Sequence, residues 1–394
     1  MISQNSNITL YPLTIREDKK HYIVEDTTSG EFFEMPEVCI DAIKLINDRI
    51  PLDQIEKTLQ AIYPEEDVDI SAFAEQLLDF GLVKEIDGNE VKHEKADTTP
   101  QGFSWLPAKL GKFFFHRGSV FILFLVIFIN ILYIFMQPEY IPNYQDIFIF
   151  DSLVLSILFF MFISLIIILI HELGHILALR AHNLPTNLGI CHRLYILLVF
   201  ETDMATAWKL PPKERNLLYL GGIYFDQWIL AIALTCKFFL PIEGTMLNSI
   251  LSIIVLDIFI KTIYQCCFYM KTDLYYLFEN LTGCYNIMEN SQQILSRWLP
   301  FIKGNNQTEA FKEEKVYVRL YAIFYVIGVS VTLALFIFYV IPQFLYIFSK
   351  LIPALGSPSG NPYFWDAVLF ILPTMIIMAV LVYSWIKSNR KKVD

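Results

Sequence analysis

The chain has 394 residues, of which 55% are hydrophobic and only 18% charged, with a formal net charge of −10. Soluble domains carry about 25% charged residues, so this composition excludes a disordered, collagen-like or disulfide-stapled protein and points to a small soluble part joined to a membrane body. The acidic balance also argues against a nucleic-acid partner, because proteins that bind phosphate backbones are basic.

The charge is uneven along the chain. Residues 1–98 hold 9 Lys and Arg against 22 Asp and Glu, a net of −13, while the remainder carries +3. The first residues, MISQNSNITLYPLTIRED, show no basic stretch followed by an apolar one, so the acidic head is expected to stay in the cytosol. Short strands are predicted at Ile8–Leu13, His21–Val24 and Glu31–Met35, with a turn at Thr28–Gly30. Helices are predicted at Glu37–Asn47 after Pro36, at Gln54–Tyr63, and after a cap at Asp69 or Ser71. The third helix ends at Gly81, and Leu82–Ile86 forms a closing strand. Residues 1–95 therefore read as a small α+β, winged-helix-like domain. Residues 96–117 read as a linker rich in Pro, Gly and polar residues, able to tether a captured substrate near a second site.

Six apolar runs follow, near 118–136, 151–179, 217–240, 247–270, 319–348 and 363–387, each close to the length of about 20 residues that crosses a bilayer. Lipid leaves bare backbone without partners, so the runs should be helices. Lys and Arg cluster before the first run, between the second and third, between the fourth and fifth, and at the end of the chain. Loops 137–149 and 241–248 have none. This places both termini in the cytosol of a multi-pass membrane protein. The fold class expected is mainly α, with about six membrane helices over 118–392 behind the small α+β head. One apolar segment, ICHRLYILLVFETDM (190–204), is too short to span and reads as a re-entrant piece or an edge strand.

The six cysteines contain no C-x-x-C pair and read as buried free thiols. His182 and His192 read as loop polarity. The chemistry concentrates in His171-Glu172-Leu173-Gly174-His175, at the cytosolic end of the second run. On a helix, residues four apart share a face, so both histidines can grip one divalent ion while Glu172 stands beside them. Such groups are costly next to an apolar run of this length unless they have a task. A catalytic zinc needs a third protein ligand and an open position. Asp203, Asp226, Asp257 and Asp273 are the candidates. The depth of Asp273, at the cytosolic end of the fourth run, matches the histidines best. Asp203 and Asp226 are then candidates for supporting a ligand or touching substrate.

HELGH paired with Lys271-Thr272-Asp273-Leu274-Tyr275-Tyr276 resembles the site-2 protease family of intramembrane zinc metalloproteases, closest to its peptide-maturation branch. The resemblance covers roughly residues 150–285. It implies Zn2+ held by His171, His175 and Asp273, and Glu172 as the catalytic residue. The sequence departs from the family at Leu274, where Gly is usual, and at Gln265 and Phe268, where Asn and Pro are usual. Asp226 stands where the family has an Asn thought to aid substrate or oxyanion binding.

Residues 15–88 resemble the leader-peptide recognition element of ribosomal-peptide modification systems, which implies capture of a precursor peptide as an added strand. The function expected is maturation of a ribosomally made, bacteriocin-like peptide by an intramembrane zinc endopeptidase. Two alternatives stand beside it: a protease that releases a membrane-anchored signalling factor, and a non-catalytic receptor or immunity protein with a degenerate zinc fold.

Overall fold

A computed structural model of the chain describes residues 6–19, 21–91, 102–193, 197–285, 287–298, 315–358, 360–372 and 375. In the head, β1 (Ile8–Leu10), β2 (Leu13–Asp18), β3 (His21–Asp26) and β4 (Phe32–Met35) precede α1 (Glu37–Asn47), α2 (Leu52–Ile62) and α3 (Ile70–Asp79), and β5 (Val83–Ile86) and β6 (Asn89–Glu90) close it. Two antiparallel three-stranded sheets form, in the orders β1-β5-β6 and β2-β3-β4. The strand predicted over Ile8–Leu13 breaks at Tyr11-Pro12. Pro12 has no N–H for a ladder, and the Tyr11 N–H turns to the Leu82 carbonyl at 2.9 Å. β2 then runs on to Asp18, pairing Leu13 with Asp26 and Asp18 with His21 across a tight hairpin. Asp69 caps α3 by accepting the Ala72 N–H at 2.9 Å, and Gly81 follows that helix in the left-handed region at φ 69°. Ile43, Ile55, Leu59, Leu77, Val24 and Val83 are fully buried in the core between the helices and sheets.

Beyond the head, α4 (Ala108–Phe114) is short, and α5 (Ser119–Met136) and α6 (Leu153–Ala181) match the first two predicted spans. In the 190–204 region, β7 (Leu188–Arg193) pairs antiparallel with β8 (Leu197–Thr202). The third span is two helices, α7 (Pro212–Tyr219) and α8 (Gly221–Phe239), bent by 41°. α9 (Met246–Tyr264) stops six residues short of the predicted end. α10 (Asp273–Thr282) and α11 (Ile287–Trp298) follow. α12 (Lys315–Leu335) passes through a π turn, Phe336–Val340, into α13 (Ile341–Leu355). Pro342 has no N–H to give the carbonyl four residues back, at Phe338, so a regular α ladder cannot run through this point. The sixth run begins as α14 (Pro362–Leu372). Its remainder lies outside the described residues except Met375, as do residues 96–101 of the predicted linker. Among the described residues, four helices are long and apolar enough to cross a membrane, or five if α7 and α8 make one bent span.

The chain divides into two compact units. One comprises Met1–His116, His175–Leu220 and Tyr276–Ile287, the other Arg117–Gly174, Gly221–Tyr275 and Met288–Asp394, with α6 running unbroken from one into the other. In the first, the predicted tether is held over its second half. Arg180 on α6 donates to the carbonyls of Leu106 at 3.0 Å and Ser104 at 3.3 Å. α4 lies so close to α6 that a side chain on Gly111 would overlap the backbone of Leu177 and Ala181. In the second, Ile167, Leu230, Leu234, Val255 and Ile258 form a core between α6, α8 and α9. The first backbone amide of α6, at Leu153, donates to the Asp366 carboxylate of α14 at 3.0 Å, and Ser152 donates to the same group at 2.7 Å. Phe121, Phe124, Phe128 and Phe135 of α5 face outward, as an apolar surround requires.

Candidate metal centre

α6 carries the HELGH motif in its last three turns, after an apolar stretch interrupted only by Ser156 and Ser164. One helical turn separates His171 from His175, which puts both rings on one face. His175 is buried, and its Nδ1–H donates to the carbonyl of Leu218 in the last turn of α7 at 2.9 Å. A carbonyl can only accept, so this bond fixes the tautomer and leaves Nε2 unprotonated and able to bind a metal. His171 has the same arrangement with a different partner: its Nδ1–H donates to Oδ2 of Asp226 on α8 at 2.8 Å. Its Nε2 faces Oδ2 of Asp273 at 3.1 Å.

The backbone reversal after α9 brings Asp273 to this position. Gln265 caps α9, a short turn at Phe268–Met270 follows, Lys271 adopts φ 52°, and Asp273 opens α10. Asp273 thus begins a separate short helix and does not simply trail the fourth span. Gln265 grips it twice, donating from Nε2 to the Asp273 carboxylate at 2.9 Å and accepting the Asp273 N–H at Oε1 at 3.1 Å. Thr272 closes the same turn by donating from Oγ1 to the Gln265 carbonyl at 2.7 Å.

The ligand atoms of His171, His175 and Asp273 lie within 4.8 Å of one another. Two nitrogen or oxygen ligands on a tetrahedral zinc, each about 2.0–2.1 Å from the ion, sit about 3.3 Å apart. The 3.1 Å between His171 Nε2 and Asp273 Oδ2 is close to that separation. Metal-binding histidines almost always give their other nitrogen to a carboxylate or a carbonyl, and here one of each is present. By donor type, tautomer and spacing, the residues fit a zinc ion. Glu172, 8% exposed, is the next residue on the helix.

Close approach of α8 shapes the other side. A side chain on Gly222 would overlap the His171 imidazole, and one on Gly174 would overlap the backbone of Gly221. Only glycine leaves room for the ring and for the helix contact. Asp226 is 4% exposed, and its second oxygen has no hydrogen-bond partner among the described residues.

Of the carboxylates named from sequence, Asp226 and Asp273 are brought to the histidines. Asp203 is exposed and uses Oδ1 to accept the Ala205 N–H at 2.9 Å, capping the turn after β8. Asp257 pairs with Lys261 at 2.5 Å and accepts from Ser164 at 2.8 Å within the apolar core. His182 pairs with Glu214 at 3.4 Å. Three contributors went unassigned in the sequence reading: the Leu218 carbonyl, Gln265 and Gly222. A backbone carbonyl has no residue signature. Gln265 was visible as a departure where the resembled family has Asn, and Gly222 as the first residue of the segment Gly222-Ile223-Tyr224-Phe225-Asp226, but neither was given a role at the metal centre. Compared with family models, curated proteins and solved structures, the chain gives no significant match to any of them.

Proposed function

We propose that the chain is an intramembrane zinc endopeptidase, of the site-2 protease kind, that cuts a ribosomally made precursor peptide near the cytosolic face of the membrane. The observation that carries this reading is the presentation of the two imidazoles. Each gives Nδ1 to an acceptor that fixes its ring, and His171 turns Nε2 toward the carboxylate of Asp273.

In this reading His171, His175 and Asp273 hold Zn2+. When bound, zinc supplies Lewis acidity toward a peptide carbonyl and toward water. Glu172 acts as general base: its carboxylate takes a proton from water and returns it to the leaving amine. Asp226 and the Leu218 carbonyl keep the rings from rotating away. The chain crosses the bilayer about six times with both termini in the cytosol, and the winged-helix-like head captures the precursor's leader as an added strand.

The test is incubation of detergent-purified protein with candidate precursors, scored by mass spectrometry. Glu172→Gln should abolish cleavage while zinc remains bound. A fully active Glu172→Gln enzyme would refute the mechanism.

A further inference from the structure

We propose that the head is a working part of the metal centre: Asp18, at the tip of the β2–β3 hairpin, positions Arg215 of α7 and through it the Leu218 carbonyl that orients His175. The proposal rests on the metalloprotease reading above and deepens it.

The guanidinium of Arg215 is 0% exposed, and a buried cation requires a charged partner. That partner comes from the head. Nη2 of Arg215 donates to the Asp18 carboxylate, itself 1% exposed. Tyr285 completes the cluster, accepting from Arg215 at 2.9 Å and donating to Asp18 at 3.0 Å. The Trp208 ring lies 4.3 Å beneath the guanidinium. Lys19, the next residue of the hairpin, donates to the carbonyls of Asn280 and Leu281 in the last turn of α10. The Asn280 side chain ties α10 to α7 by donating to Pro212 O at 2.7 Å and Asn216 Oδ1 at 2.6 Å.

α7 is eight residues long, too short to hold its own shape or position without tertiary contacts. Beside the Asn280 bonds, the buried contact that fixes it is the ion pair of Arg215 with Asp18. Leu218 lies one turn further along the same helix, and its carbonyl sets the His175 ring. α10, which Lys19 caps, starts at Asp273. The hairpin tip therefore touches both short helices on which the ligands depend. Without Asp18 the Arg215 charge is stranded, α7 must move to reach water, and the His175 ring loses its fixed acceptor. Loss of such an outer partner weakens metal binding by about 10–100-fold.

A head that only captures substrate acts on KM. A head that positions a ligand acts on zinc affinity and kcat. The test uses the full chain in detergent, with zinc affinity by chelator competition, steady-state kinetics and thermal melting. Asp18→Asn should bind zinc about 10–100-fold more weakly and lose kcat with little change in KM. Leu59→Ala, in the head core, should lower the melting temperature with zinc affinity retained. Wild-type zinc affinity in Asp18→Asn, or equal weakening in Leu59→Ala, overturns the proposal. If Asp18→Asn does not fold, Lys19→Ala is read the same way: weaker zinc supports the proposal and unchanged zinc overturns it. Wild-type protein that binds no zinc removes the metalloprotease reading, and this proposal with it.

Discussion

His171 and Asp226, 55 positions apart in the chain, are joined by a 2.8 Å hydrogen bond from imidazole Nδ1 to carboxylate Oδ2. An ionised carboxylate at this place would repel an oxyanion. Against an imidazole its charge is useful. It favours the ring orientation that sends Nε2 toward Asp273, where the proposed zinc would sit, and raises the basicity of that nitrogen. Asp226→Asn keeps the shape but removes the charge. The variant should bind zinc about 10–100-fold more weakly than wild type. Chelator competition measures this directly, and equal affinity would show that Asp226 serves packing alone.

Gln265 is the corresponding partner of Asp273, the proposed acid ligand. It holds Asp273 by both side chain and backbone, so the carboxylate is aimed before any ion arrives. Gln265→Ala removes both bonds and should lower zinc affinity, with a stability loss of about 1 kcal/mol per hydrogen bond. Gln265→Glu places a second carboxylate beside the first. Compared with wild type at the same pH, so that protonation of the histidines cancels, its deficit in zinc affinity should be largest at neutral pH and shrink as the pH falls and the new group is protonated. A Gln265→Glu protein whose zinc affinity lacks this pH dependence would count against the clamp.

The apolar runs made the long helices legible, since a stretch such as residues 153–170 has no other stable state in lipid. The head helices were legible from their spacing and from Pro36, Asp69 and Gly81. What escaped depended on chain reversals. The bend between α7 and α8 at Leu220 and the turn from Gln265 to Thr272 carry mostly apolar letters, so a hydropathy pattern runs straight through them. The site divides in the same way. His171, Glu172, His175 and Asp273 are chemically conspicuous among Leu, Ile and Phe, whereas the Leu218 carbonyl becomes a partner only once α7 has folded.

The cysteines offer a pH-resolved check on the head. Burial, reinforced by Glu66, pushes the Cys39 thiol up to about 11. The thiolate is the reactive form, so at pH 8 Cys39 should alkylate about a hundredfold more slowly than a thiol at its ordinary value. In a variant keeping Cys39 alone, the rate should rise about tenfold per pH unit until the pH approaches 11. A rate that levels off near pH 9 would mean that α1 leaves this side chain open to water.

Asp257 and Lys261 form an ion pair on α9, one turn apart at 2.5 Å, with Ser164 of α6 donating to the acid. Two charges on an apolar helix are expensive to place there, and their mutual attraction does little more than offset that cost. Their effect on stability therefore depends on whether one or both are removed. Lys261→Met leaves Asp257 buried without its cation and should destabilise the protein by about 3–5 kcal/mol. Asp257→Leu combined with Lys261→Met removes both charges and should fall within about 1–2 kcal/mol of wild type or exceed it. Denaturant titration of the single and double variants in detergent gives the coupling energy. If the double variant loses as much as the sum of the singles, the pair is not acting as a unit.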